Sequence, residues 1–352
     1  MAGAQAQVLS AAQISIWARA KVSVEDLNSA IWKSRTLVRA WCMRRTLFLL
    51  PSDELAVFIR GSSRRSAYNL KWAHDQVSSS QELDRILDAM LETLDEPRTR
   101  SDLASALKSL GYRMKLKAGG GWGDKRSVPH FQVGSTSLSL GFLLHCLGAR
   151  DAICSGPSKG AESTYVRADR WVPRWKDMSQ VRAEAELLTK YLKAFGPATL
   201  ADFALWLGVY SRDAKEIWLR ESEKIVKVDV DGLGHWILES DLNDLENSKI
   251  QQPVVRLLPS FDSFLLGHKS HRSIVEERDH KRVYRGQGWV SPVLLVDGKS
   301  LGVWTYARHG TDLEVRVEPF AKLSTGIRSQ IKQEAADFGR FLGFRATDLL
   351  IA

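Results

Sequence analysis

Cysteine is scarce in this chain: three residues in 352, Cys42, Cys146 and Cys154. They share no paired or metal-type spacing. An odd count without a secretion signal argues against a disulfide framework and points to reduced, buried thiols. Long apolar runs are missing too: none approaches the ~18 residues that a bilayer-spanning helix needs, so no membrane contact is expected. No charged, then apolar, then small-residue leader opens the chain, and the expected location is cytoplasmic. Neither HExxH nor the GxxxxGK[ST] order of a phosphate-cradling loop occurs. No Ser/His/Asp or Cys/His arrangement follows from spacing either. The nearest metal-like cluster, His268, His271 and His280, sits among Lys269, Arg272, Lys281 and Arg282. Surrounding positive charge disfavours a cation, so neither a metal nor a cofactor is expected. Carboxylates such as Asp262 are candidate bases that spacing cannot rank.

Acids are the remaining deficit, and it is local. Net charge is +9. Between Lys33 and Lys71 lie nine basic residues (Lys33, Arg35, Arg39, Arg44, Arg45, Arg60, Arg64, Arg65 and Lys71) against Asp53 and Glu54, which leaves +7 there. A second stretch holds Lys108, Arg113, Lys115, Lys117, Lys125 and Arg126 around a glycine run, opposed by Asp124 alone. Basic segments are usually solvated faces. Two of them in an otherwise balanced chain point to a polyanion such as nucleic acid.

What is present in quantity is core material. Hydrophobic residues make up 44%, with 12 Trp, and the length exceeds that at which one core stops growing, so two to four modules are expected. One local signature occurs three times. Ser23, Thr99 and Thr199 are each followed three residues later by an acid, Asp26, Asp102 and Asp202, ahead of an apolar run: the pattern of a capping box. In the third copy, helices are predicted over 184–195, 199–207 and 211–220, then strands over 225–230 and 235–238 turning at Asp231-Gly232. Three short helices followed by a hairpin describe a winged helix. The second copy fits with helices over 81–94, 99–110 and 136–147 and a wing around the loop 155–160; its basic glycine loop is an insertion. The first has a helix over 23–32 and strands over 36–42 and 46–50 joined at Arg44-Arg45. After residue 251, short strands with turns at Asp297-Gly298 and His309-Gly310 precede a helix from about Ser324 with Ile327, Ile331, Ala335, Phe338 and Leu342 on one stripe.

The fold expected is therefore α+β: three tandem winged-helix modules (1–78, 79–178 and 179–250) with a β-rich C-terminal scaffold, 251–352. The basic wing residues Arg35, Arg39, Arg44 and Arg45 and the loop residues Lys115, Lys117, Lys125 and Arg126 are the expected phosphate contacts.

Gln5 and Gln7 stand near the start. Residues i and i+2 of an extended segment project to one side, so the two neutral amides can face one small target, a water or a base edge; taken alone, such a pair is more often ordinary polar surface. The residues AGAQAQ (2–7), SIWAR (15–19), RTLVRAWCMRRTLFL (35–49), LPSFDSFLLG (258–267) and GQG (286–288), in this order, resemble the AlkZ/YcaQ family of winged-helix DNA glycosylases. The resemblance covers essentially the whole chain. It implies a C-shaped arrangement of three winged helices and monofunctional excision of N7-alkylated purines, in some members with unhooking of interstrand crosslinks. Gln7 places the chain with the glutamine-x-glutamine type, and Gln5 and Gln7 then position the hydrolytic water. The implied partner is double-stranded DNA carrying alkylated bases, bound by a monomer that is nucleoid-associated when on DNA. Two departures go with it. In the family a helical segment precedes the glutamine motif, whereas four residues do here, from which a less stable first module is expected; and Phe48 stands where the family often has His. Read without the resemblance, the residues equally fit a non-catalytic winged-helix regulator of DNA, or an RNA-binding scaffold.

Overall fold

The computed structural model describes residues 1–20, 22–118, 127–173, 178–249 and 253–352. The chain divides into two compact units, one made of Met1–Ala30 with Ala185–Ala352, the other of Ile31–Glu184. The long helix Gln180–Phe195 runs through one of the two boundaries.

All three capping boxes close. Ser23, Thr99 and Thr199 accept the amides of Asp26, Asp102 and Asp202 at 3.0, 3.1 and 3.2 Å. Each carboxylate in turn accepts the cap's own N–H, at 3.1, 2.9 and 2.8 Å. Two orphan amides are thereby satisfied at each helix start, which typically stabilises by ~1 kcal/mol per cap. The helices that follow are Val24–Asn28, Arg100–Ser109 and Leu200–Leu207. The first passes directly into a π-helical turn, Ser29–Lys33.

In the unit 31–184, strands Leu37–Trp41 and Leu47–Pro51 pair antiparallel, Leu37 opposite Pro51 and Trp41 opposite Leu47. Their connection is a tight turn, Met43–Arg45, with Arg44 and Arg45 both left-handed at φ 52° and 62°. A second hairpin, Ile153–Lys159 with Glu162–Arg167, joins the first edge to edge where Ala40 pairs with Cys154. The strands reach Lys159, so the loop expected over 155–160 is largely ladder. Helices Leu55–Gly61 and Ser63–Asp75, which carried no signature in the sequence, follow the first hairpin. Helix Ser80–Glu92 buries Leu83, Ile86, Leu87 and Met90, an i, i+3, i+4, i+7 stripe that meets Leu103 and Leu107 of the next helix and Leu143, Leu144 and Leu147 of Leu140–Ala149. Here one expectation is corrected. The segment 136–147 is not a single helix: Thr136–Ser139 is a strand, paired with Ser127–Val133, which pairs in turn with Met114–Ala118. Gly134, at φ 57°, turns the chain between Val133 and Thr136, and Ser139 caps the helix by accepting the Phe142 amide, so helix starts only at Leu140.

In the other unit, helices Leu200–Leu207 and Ser211–Arg220 precede the hairpin Ile225–Val230 and Leu233–Leu238. Asp231 and Gly232 turn it at φ 53° and 81°. Tyr191, Phe203 and Trp206 form its aromatic core, with ring centroids 5.0–6.3 Å apart. A five-stranded sheet runs in the order Val255–Leu258, Val293–Val296, Lys299–His309, Asp312–Pro319, Ala346–Ile351. Its last strand, absent from the sequence reading, lies parallel to Asp312–Pro319. Helix Thr325–Phe341, capped by Ser324, buries Ile331, Ala335 and Phe338 of the expected stripe.

Candidate catalytic segment and basic surfaces

The glutamines stand on a short, extended segment of the first-named unit. Gly3 takes a left-handed φ of 81°, after which Ala4–Gln5 is strand. Ala2, Ala4 and Ala6 are buried, with Ala4 and Ala6 at 0% exposure, while Gln5 is half-buried and Gln7 exposed. The alternation is that of an extended chain: alanines turn inward, and the two amides share the other side. Methyl groups on the inward side allow close approach without rotamer freedom to lose. Helix Leu9–Trp17 starts two residues after Gln7, and its N-cap, Val8, supplies no side-chain hydrogen bond.

Around this segment a polar clasp is built from residues far along the chain. Asp262, at 1% exposure, accepts the Ser15 hydroxyl at 2.6 Å and both terminal nitrogens of Arg19, at 2.9 and 2.7 Å. It also accepts the Phe264 amide at 2.9 Å. Next to it, the Ser263 hydroxyl donates to the Gly3 carbonyl at 2.8 Å. Trp17 lies 5.2 Å from Phe338 and 5.6 Å from Phe341, so apolar contact seats the helix that the clasp orients. Asp262 was one candidate base; with four donors on it and no access to solvent, it is a structural acceptor. The sequence reading missed Ser15, Arg19 and Ser263. Their only signal was membership in the motifs at 15–19 and 258–267.

The basic residues fall on separate elements of the unit 31–184. Arg35 is left-handed at φ 55° and lays its guanidinium 3.8 Å over the Trp171 ring. Arg39 alternates outward from the buried Val38 and Ala40, and burial lowers its guanidinium from the usual range. Burial brings Arg44 down to about 10; its guanidinium lies 5.4 Å over Phe48, which is fully buried. Arg45 donates to His145 Nε2. Burial, then Arg45 itself, pushes His145 down to about 4, so the ring is a neutral acceptor at physiological pH. Lys115 and Lys117 project from the exposed strand Met114–Ala118. Lys125 and Arg126 lie outside the described residues.

His268 reaches the Pro197 carbonyl at 3.3 Å, whereas His271 and His280 meet at 3.2 Å with Tyr284 stacked 3.6 Å from His271. Among the described residues, no group of three His, Cys, Asp or Glu side chains could hold a metal ion. The cysteines are buried, and burial raises all three thiols, Cys42 to about 12 and Cys146 to about 11, which keeps them protonated and unreactive. A cleft of about 770 Å³ opens beside Arg19, between Trp17, Arg256, Gln330, Glu334 and Phe341, with charges of both signs. No helix among the described residues is long and apolar enough to cross a membrane.

The family model described as DNA glycosylase AlkZ-like matches residues 1–341. An interstrand DNA cross-link repair glycosylase of Streptomyces sahachiroi is 27% identical over 358 residues, spanning 97% of this chain and 89% of that protein. The solved structure of Streptomyces sahachiroi DNA glycosylase AlkZ superposes with a TM-score of 0.79 at 25% identity, covering 99% of this chain and 91% of that one.

Proposed function

The chain belongs to the AlkZ-like DNA glycosylase family, and from that premise we propose that it hydrolyses the N-glycosidic bond of N7-alkylated purines in double-stranded DNA, with Gln5 and Gln7 holding the attacking water. The relative's cross-link repair extends the reading to unhooking of interstrand crosslinks. We read the helices and hairpins as three tandem winged helices on a β-rich scaffold, acting as a monomer.

The chemistry suits amides. Alkylation at N7 makes the purine cationic, so the bond from C1′ to N9 breaks with its electron pair going to a base that leaves neutral. General-acid help is unnecessary. The water oxygen bonds C1′ as the sugar gains oxocarbenium character, and its proton passes to solvent. Two carbonyl oxygens that accept hydrogen bonds from this water fix its approach, which is catalysis by placement. An unmodified nucleotide lacks the cationic leaving group and is spared. The observation that carries the reading is the seating of the pair, alanines inward and both amides outward from one pinned backbone.

Arg35, Arg39, Arg44, Arg45, Lys115, Lys117, Lys125 and Arg126 are proposed phosphate contacts. The Arg35 guanidinium stacks on the Trp171 ring with its Nε buried, which leaves its terminal nitrogens as the donors for a phosphate oxygen.

The test is a duplex carrying a single N7-methylguanine, incubated with the protein and then cleaved with alkali at any abasic site. Scission by the wild type that Gln5→Ala and Gln7→Ala each slow by roughly a hundredfold, with DNA binding retained, is the expected result. Binding of undamaged DNA with no base release, for methyl and bulkier adducts alike, would replace it with a regulatory role.

A further inference from the structure

We propose that Ser263 and Asp262 are positioning residues for base excision, holding the backbone on which Gln5 and Gln7 stand. The inference deepens the catalytic reading above and rests on it. Two amides that act by placement are only as effective as their backbone is fixed, since a displacement of about 1 Å can cost a factor of roughly a hundred in rate. The segment is short. Its strand is 2 residues long, its helix lacks a side-chain cap, and its inward side chains are methyl groups with little area to bury.

One dipeptide holds it from both sides. Before the glutamines, Ser263 grips the Gly3 carbonyl at 2.8 Å, where the chain bends through its left-handed φ of 81°. After them, Asp262 grips Ser15 in the helix and Arg19 just past its end. Ser263 and Asp262 are 3% and 1% exposed, so neither bond competes with water. The loop that carries them is itself fixed. Tyr284 donates to the Leu265 carbonyl and Tyr191 to the Gly267 carbonyl, each at 2.9 Å. Phe261, edge-on to Trp289 at 5.1 Å, is held at φ 58°. A left-handed phenylalanine is strained and persists only where the surroundings impose it, a mark of loops whose geometry serves a site.

The experiment is single-turnover release of N7-methylguanine by Ser263→Ala, with DNA affinity measured alongside, in the wild-type and Gln5→Ala backgrounds. Amide hydrogen exchange at residues 4–7 is followed on the same proteins. Ser263→Ala is expected to slow release by at least about tenfold and speed exchange at 4–7, with affinity within about twofold. In the Gln5→Ala background the same substitution is expected to slow the residual rate by less than about twofold, because a hydroxyl acting through the glutamine pair has little left to gain once the water that both hold is lost. Ser15→Ala, which removes one donor from Asp262 at the other end, is expected to repeat the pattern. Wild-type release by Ser263→Ala, or equal slowing in both backgrounds, overturns the positioning role. Wild-type protein that releases no base above the spontaneous rate overturns the catalytic reading, and the positioning role with it.

Discussion

Arg19 sets both terminal nitrogens against one carboxylate, Asp262, and closes a loop of 243 residues. The partners are unequal: the Arg19 side chain is 32% exposed and that of Asp262 not at all. Removing the arginine leaves a buried carboxylate with too few donors, so Arg19→Ala is expected to lower the unfolding free energy by about 3–5 kcal/mol. Asp262→Asn leaves a guanidinium that water can reach and keeps one acceptor oxygen, so its cost is expected to be smaller. Urea denaturation of both variants checks the order; equal costs would contradict the asymmetry.

If Gln5 and Gln7 share one water, their losses should not multiply. Each alanine variant is expected to slow single-turnover excision by roughly a hundredfold, and the double variant by little more than the worse single one. Rates from pre-steady-state assays decide; a product of the two factors would mean separate tasks.

Two half-buried groups set opposing pH slopes in the unit 31–184. Asp151, 3.8 Å from Arg60, is raised by burial from 3.8 to about 7, with Arg60 opposing. The folded protein therefore holds this proton more tightly, and the associated stability is full below about pH 4 and lost as pH rises through 7. His145 is depressed from 6.5 to about 4, so its contribution is present above 6.5 and lost as pH falls through 4. Over this shared window the two slopes offset each other. Asp151→Asn removes one of them and suits the left-handed φ of 58°. The variant is expected to match wild type near pH 4, to gain stability as pH climbs to 6.5, and to exceed wild type at about pH 8. Thermal melting across that range tests it; a variant with a flat profile would contradict the opposition.

Lys115 and Lys117 are exposed on one strand. If both meet DNA phosphates, Lys115→Gln with Lys117→Gln is expected to make the slope of log affinity against log salt shallower by about two, equally for lesion-bearing and intact duplex. Unchanged slopes would remove this strand from the interface.

Local chemistry was the legible part of this structure. Capping boxes at Ser23, Thr99 and Thr199, the Asp231-Gly232 turn and the apolar stripe from Ile331 to Phe338 depend on neighbours within a few residues, and each is where its motif predicts. What escaped is non-local. Strand Ala346–Ile351 exists only because Asp312–Pro319 lies alongside it, and two hairpins meet at Ala40 and Cys154, 114 positions apart. Thr136–Ser139 is strand where the sequence reading places the start of a helix, because its pairing with Ser127–Val133 is non-local; the helix begins only after its Ser139 cap. At the candidate site the glutamine pair was visible as a pattern. Asp262 was visible as a carboxylate, and its function as an acceptor became readable only once Ser15 and Arg19 were seen against it.

The seating of helix Leu9–Trp17 has a consequence for synthesis. Its anchors, Asp262, Phe338 and Phe341, are translated long after it. At 5–20 residues per second the ribosome needs on the order of 10–50 s to travel from Arg19 to Asp262. Helix Leu9–Trp17 is therefore seated only after residue 262 has been made, and a nascent chain that stalls before it carries both glutamines without the bonds that Asp262 and Ser263 supply.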